Sequence, residues 1–133
     1  MHALGVIVGC DQTKDELFQE LCNWQDCAFD GVCDISFENN NTDWLPDEIP
    51  EFAYGNAMNV DKVIKFIKTD VFQIIYGYHK FEQVYPITRF KIGEEIFADR
   101  KSLDFESFLI NKIKTDLKQH PMNTCLLFYD YHS

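Results

Sequence analysis

Residues 4–21 read LGVIVGCDQTKDELFQEL and hold the two patterns from which the rest of the fold follows. The apolar run at residues 4–8, closed by Gly9, predicts a buried β-strand, because a short apolar run bounded by a turn residue is typical of such strands. Thr13 and Glu16 fit a capping box, in which the hydroxyl and the carboxylate each accept a hydrogen bond from an otherwise unbonded backbone N–H. The apolar residues that the resulting helix would bury are Leu17, Phe18 and Leu21. The chain is therefore expected to open as a strand followed by a helix.

Similar patterns predict the remaining elements. Further strands are expected at residues 32–37, 72–78, 85–90, 95–98 and 124–131. Asn59 can cap a second helix whose apolar stripe is Val60, Val63, Ile64, Ile67 and Val71, and a third helix would start at residue 102 or 104 and end before Pro121. Residues 38–59 are predicted as a long loop with room for one helical turn. The 133 residues suit one domain, spanning 1–133. The expected fold class is α+β (mixed α/β), with a central, mostly antiparallel or mixed sheet and about three helices packed on it.

The charge of −10 is concentrated in one segment. Lys14 is followed by no lysine or arginine until Lys62, and 12 of the chain's 22 acidic residues lie between them. The rest of the chain holds the other ten acidic residues and all 12 basic residues, so its net charge is close to zero. The negative potential of such a segment attracts cationic partners. It repels nucleic acid, because proteins that bind nucleic acid neutralise its phosphates with lysine and arginine. Direct binding of DNA or RNA is therefore not expected.

The expected working surface lies within this segment, between residues 26 and 51. Acidic side chains around an aromatic anchor make a good protein-binding patch, and a loop as long as residues 38–59 is often functional. The candidate partner-binding residues are Asp26, Asp30, Asp34, Asp43, Trp44, Asp47, Glu48 and Glu51. The competing interpretation is that the acids form a solvated, solubilising face and that the aromatic residues belong to the core.

Catalytic and metal sites find little support. No phosphate-binding loop, dinucleotide fingerprint, HExxH or GxSxG motif occurs. Pro46-Asp47 could start a metal-dependent nuclease motif, but the lysine expected after Glu51 is missing. Asp26, Asp30 and Asp34 lie four residues apart, which does not match the alternating ligands of a calcium loop. We therefore expect no enzymatic activity, no metal, no cofactor and no small-molecule ligand.

Cysteine usage and the start of the chain bear on the compartment. The five cysteines are an odd number without a CxxC pair, so they are expected to be mostly buried and reduced. The first residues lack the cationic and apolar regions of a secretory signal, and no run approaches the roughly 18 apolar residues that span a bilayer. A cytoplasmic protein without membrane contact is expected.

Two stretches resemble a known family. The strand and helix start, VIVGCD at residues 6–11 and KDELF at residues 14–18, is similar to the opening of the bacterial family called immunity protein 22. The aromatic closing run LLFYDY at residues 126–131 is similar to it as well. Small size, acidity and the absence of a catalytic motif also resemble the immunity proteins of polymorphic toxin systems, including contact-dependent growth inhibition.

This resemblance implies a binding protein. Immunity proteins of this kind bind and inhibit a cognate toxin domain, often a nuclease, whose cationic cleft suits an acidic loop. An alternative that uses the same acidity is a phage-encoded nucleic-acid mimic that inhibits a restriction enzyme or a guided nuclease. Such a mimic would carry carboxylates spread regularly along an elongated surface. An enzyme without a recognisable motif is the third possibility.

Overall fold

A computed structural model of the chain describes residues 2–28, 40–67, 73–77, 90–92, 95–97 and 103–132, with side chains described for residues 4–23, 40–67 and 111–130. The strands are β1 (His2–Cys10), β2 (Phe52–Tyr54), β3 (Gln73–Gly77), β4 (Phe90–Ile92), β5 (Glu95–Phe97) and β6 (Thr124–His132). The helices are α1 (Lys14–Ala28), α2 (Val60–Ile67) and α3 (Leu103–Gln119), and a single 3₁₀ turn covers Gly55–Ala57. None of the helices in these ranges is both long enough and apolar enough to cross a bilayer.

The six strands form one mixed sheet in the order β2-β6-β1-β3-β4-β5. β1 pairs in parallel with β3 and antiparallel with β6, and the three remaining pairings, β2 with β6, β3 with β4 and β4 with β5, are antiparallel. The predicted α+β class, with a mostly antiparallel or mixed sheet and three helices, is confirmed. The apolar run at residues 4–8 is central because β1 has a partner on both sides.

One face of the sheet carries the main core. Residues that pair across an antiparallel ladder share a face, so Val6 with Phe128 and Val8 with Leu126 point the same way. This face packs against α2, α3 and part of the chain before β2. The buried members of the core cluster are Leu4, Val6, Val8, Ile49, Val63, Ile64, Ile67, Ile113, Leu117, Leu126 and Phe128. Of the residues predicted to form the stripe of α2, Val63, Ile64 and Ile67 are buried and Val60 is half-buried against the same cluster, while Val71 lies outside the described residues.

The other face of the sheet packs against α1. Gly9 pairs with Cys125, and a Cβ atom at Gly9 would lie 2.6 Å from the Leu17 side chain. Further along this face, a Cβ atom at Gly5 would lie 2.2 Å from the ring of Tyr129, a distance that no real contact allows. Gly5 therefore lets the buried Tyr129 ring lie directly on β1.

Both predicted helix caps are present. The Glu16 amide donates to Thr13 Oγ1 at 3.2 Å and the Thr13 amide donates to Glu16 Oε2 at 3.1 Å, which is the reciprocal pair of a capping box. The Lys62 amide donates to Asn59 Oδ1 at 3.0 Å, so Asn59 caps α2 as expected. Each cap satisfies an N–H group that the helix cannot pair internally.

The prediction of an unbroken loop at residues 38–59 is wrong in its second half. Phe52–Tyr54 form β2, an edge strand whose residues pair with Cys125, Leu126 and Leu127 of β6. Three residues are too few to show a periodic pattern, and the strand exists because β6 offers it an open edge. The one helical turn that the loop allowed for is the 3₁₀ turn after β2. The strand predicted at residues 32–37 lies outside the described residues.

Candidate functional site

Residues 40–51, which we call the acidic loop, directly precede β2 and carry five of the predicted site residues. Two successive turns shape it. The Leu45 amide donates to the Thr42 carbonyl at 3.0 Å, and the Ile49 amide donates to the Pro46 carbonyl at 2.8 Å. The first turn is supported from its start because the Asp43 amide donates to Asn41 Oδ1 at 3.1 Å. The loop thus has internal backbone order although it contains neither helix nor strand.

The apolar side chains of the acidic loop point inward. Ile49 is 5% exposed and belongs to the main core cluster. Trp44 and Leu45 are half-buried and pack against the same cluster. Trp44 was predicted as an aromatic anchor for a partner, and the structure shows that much of its surface contacts the protein's own core. Its half-buried position leaves part of it available at the surface.

Three predicted acids point outward on this loop. Asp43, Asp47 and Glu48 are all exposed, within six positions of one another along the chain. Glu48 Oε1 lies 3.9 Å from Lys62 Nζ, and more than half of each side chain is exposed. Such a long, solvated ion pair contributes little to stability and is screened by salt. The structure therefore presents a short, strongly anionic surface on an ordered loop.

Glu51, the last predicted acid, points back into the protein. Its Oε2 lies 2.6 Å from Lys14 Nζ, and its Oε1 accepts a hydrogen bond from Asn40 Nδ2. The Glu51 side chain is 28% exposed and that of Lys14 is 39% exposed. Since both carboxylate oxygens are engaged, Glu51 is held by its neighbours rather than displayed like Asp43.

Asn40 fastens the start of the acidic loop to β6. Its Oδ1 accepts from the Asp130 amide at 2.7 Å, and its Nδ2 reaches the Phe128 carbonyl at 3.5 Å. The Phe128 amide in turn donates to the Glu51 carbonyl at 2.8 Å. The Asn40 side chain thus continues along β6 the pairing that β2 begins. Sequence reasoning missed this role because residues 38–59 are predicted only as a loop, and nothing near residue 40 indicates a contact with β6.

The positions of the remaining predicted site residues relative to the acidic loop lie outside what the structure describes. Asp26 belongs to α1, but its side chain lies outside the described residues, as do Asp30 and Asp34 entirely. The structure describes the side chains of Asp43, Trp44, Asp47, Glu48 and Glu51, and of these the three acids Asp43, Asp47 and Glu48 are exposed.

A second polar cluster lies where β1 ends. Asp11 has a left-handed backbone with φ of 52°, and it is held by two contacts with Asn123: its amide donates to the Asn123 carbonyl at 2.8 Å, and Asn123 Nδ2 donates to its Oδ1 at 2.7 Å. The Tyr54 hydroxyl donates to the Gln12 carbonyl at 2.9 Å. Partial burial, followed by repulsion from Cys125 and Asp11, raises the pKa of Tyr54. These contacts join β1, β2 and β6 at one end of the sheet.

This cluster offers no recognisable chemistry. Cys10 and Cys125 are fully buried, and neither forms a disulfide with another described residue. The first turn of α1 is acidic and its amides are engaged by the capping box, so it is unsuited to anions. Among the residues that the structure describes, no group of three histidine, cysteine or acidic side chains could hold a metal ion.

Comparison with known proteins adds no relative to this description. No protein-family model, curated protein or solved structure matches the chain.

Proposed function

We propose that this protein is an immunity protein, which binds and neutralises a cationic toxin domain of the nuclease type through the acidic loop. The observation that carries the proposal is the outward arrangement of Asp43, Asp47 and Glu48 on an ordered loop whose apolar side chains are anchored in the core. The resemblance to immunity proteins, noted from residues 6–18 and 126–131, supports the same function. We propose that the encounter takes place in the cytoplasm.

The electrostatic part of the recognition follows from charge. Three exposed carboxylates within a few residues create a negative potential that reaches about one Debye length, which is about 8 Å at physiological ionic strength. A nuclease cleft is cationic because it holds phosphates, so the two surfaces attract each other before contact. Complementary charge of this kind raises the association rate and disfavours partners of the wrong sign.

The lifetime of the complex requires apolar contact as well. Trp44 is half-buried against the core, so its exposed part is a rigid aromatic surface next to Asp43. Tryptophan residues in such positions often dominate binding energy, because a large ring is desolvated while losing little conformational freedom. We propose that Trp44 supports the complex after the acids have oriented the partner.

The decisive experiment expresses the chain together with the toxin domain encoded beside its gene. Survival of cells that otherwise die, together with a one-to-one complex by size-exclusion chromatography, is the expected result. Cell death on co-expression, with no complex, would refute the proposal.

A panel of unrelated DNA-binding enzymes separates this function from nucleic-acid mimicry. An immunity protein should protect against its cognate toxin and leave the panel active. Inhibition of several of these enzymes in competition with DNA would instead indicate a nucleic-acid mimic.

A further inference from the structure

We infer that Asn40 and Glu51 are positioning residues, which form a clamp that fixes both ends of the acidic loop so that its exposed acids are presented in one arrangement. This inference deepens the proposed function, on which its role in binding rests, and it reassigns Glu51 from partner contact to support. The clamp consists of Asn40, Glu51 and Lys14 together with the β6 backbone at Phe128 and Asp130.

The clamp joins the two ends of the loop directly. Asn40 stands at the first position of the loop and Glu51 at the last, and Asn40 Nδ2 donates to Glu51 Oε1. A chain of 12 residues whose ends are bonded to each other has far fewer conformations than the same chain with one end loose. The direct bond therefore restricts every residue between them, including Asp43 and Asp47.

The clamp also attaches both ends to rigid elements. Asn40 accepts from the Asp130 amide at 2.7 Å, and the Glu51 carbonyl accepts from the Phe128 amide at 2.8 Å. These amides belong to β6, which is hydrogen-bonded to β1 along its whole length. Lys14 Nζ, at 2.6 Å from Glu51, ties the same point to the start of α1. The loop is thus held from the sheet and from a helix.

The charged residues of the clamp are paired with each other, whereas the acids in the middle of the loop are exposed. Lys14 offsets the Glu51 carboxylate locally, so Glu51 adds little to the outward field. Asp43, Asp47 and Glu48 point away from it and are exposed. Losing the clamp should consequently change how often the acids are in the arrangement that binds, without changing the number of charges. The apparent affinity then falls by the fraction of molecules that keep that arrangement.

The test begins without any partner. Amide exchange measured by NMR at Leu45, Ile49 and Asp130 reports the two turns of the loop and the bond to Asn40. Asn40→Ala removes the Asn40 side-chain bonds of the clamp without altering charge and should accelerate exchange at these amides about tenfold, as expected for the loss of two or more hydrogen bonds. Amides in the middle of β1 serve as the reference for global stability and should keep their exchange rates.

Matched charge variants separate the clamp from simple electrostatics. Glu51→Gln and Glu48→Gln remove the same charge from the same loop, but only the first touches the clamp. We expect Glu51→Gln to raise exchange in the loop several-fold and Glu48→Gln to leave it within about twofold. Equal effects from the two variants would overturn the inference.

A reciprocal exchange of groups provides the rescue. The double variant Asn40→Asp with Glu51→Gln keeps the net charge and reverses the donor and acceptor between positions 40 and 51. The carboxylate at position 40 can still accept a hydrogen bond from the Asp130 amide. The side-chain amide at position 51 can donate a hydrogen bond to the same carboxylate. Loop exchange should return to within about threefold of the unsubstituted protein, since most of the hydrogen bonds are restored. A double variant as labile as Asn40→Ala would contradict the clamp.

The functional consequence is measured with the toxin domain encoded beside the gene. Asn40→Ala should slow association in proportion to the fall in the fraction of molecules that keep the clamped arrangement, which the protection of the loop amides gives, while the dependence of the rate on salt keeps its slope because no charge has changed. An unchanged association rate in a variant whose loop amides have lost their protection would overturn the positioning role. If the unsubstituted protein binds no such domain, the proposed function fails, while the exchange measurements still decide whether the clamp orders the loop.

Discussion

Reversing the charge of Asp43 and Asp47 is the perturbation that most directly tests the acidic loop. Both side chains are exposed and neither belongs to the core cluster, so two lysines can be accommodated without disturbing the core. Each reversal changes the net charge by two, and the double variant therefore goes from −10 to −6. We expect slower association with the toxin domain and a weaker dependence of the rate on salt.

The size of the effect follows from the distances over which such charges act. Two unit charges about 7 Å apart in water interact by about 0.6 kcal/mol. Screening over a Debye length of about 8 Å lowers this to about 0.25 kcal/mol at physiological ionic strength. Reversal doubles the change per pair, so two positions that each face about three cations of the partner lose about 3 kcal/mol, or roughly a hundredfold in rate.

The assay is stopped-flow association at several salt concentrations, with Asp15→Lys plus Glu20→Lys as the control. The control has the same net charge, but its substitutions lie on α1, outside the acidic loop. Long-range attraction through net charge alone would slow both variants equally. Equal slowing, or an unchanged rate in the Asp43 and Asp47 variant, would refute the loop as the binding surface.

Three further predictions concern stability and can be checked on the isolated protein. Ile49→Ala should lower the free energy of unfolding by about 2–4 kcal/mol in urea titrations, because this side chain is 5% exposed within the core cluster. Thr13→Ala should cost about 1 kcal/mol through loss of the cap of α1, whereas Thr13→Ser should be nearly neutral. The raised pKa of Tyr54 means that its contribution is complete below the unfolded-state pKa of about 10 and is lost as the pH rises through the folded-state value. The stability difference between the unsubstituted protein and Tyr54→Phe should therefore shrink at alkaline pH, and a constant difference would contradict this.

Local signals in the sequence predicted the elements that local physics controls. The capping box at Thr13 and the cap at Asn59 need only residues within three positions, and both were predicted correctly. Val63, Ile64 and Ile67 of the α2 stripe are buried as expected, because helical periodicity alone fixes which side chains share a face. The long apolar runs of β1 and β6 likewise required no knowledge of their partners.

Contacts between distant parts of the chain could not be predicted in the same way. Asn40 reaches Phe128 and Asp130 across 88 and 90 positions, and nothing near residue 40 indicates that β6 lies beside it. The three residues of β2 are a strand only because β6 has a free edge to pair with. Residue 40 falls in a predicted loop, whereas in the folded chain the Asn40 side chain forms hydrogen bonds with the β6 backbone as a neighbouring strand would.

The charge pattern of the sequence overestimates the negative charge that the acidic loop exposes. The two lysines that bound the acid-only segment both fold back on the acidic loop: Lys14 pairs with Glu51 at 2.6 Å, and Lys62 lies 3.9 Å from Glu48. Glu51 is thereby largely neutralised, and Glu48 partly so, since its pair is long and solvated. Asp43 and Asp47 form no ion pair with any of the residues that the structure describes. We expect the attraction for an approaching cation to be strongest at these two exposed aspartates. For this reason charge reversal at Asp43 and Asp47 should have a larger effect on association than the same change at Glu48 or Glu51.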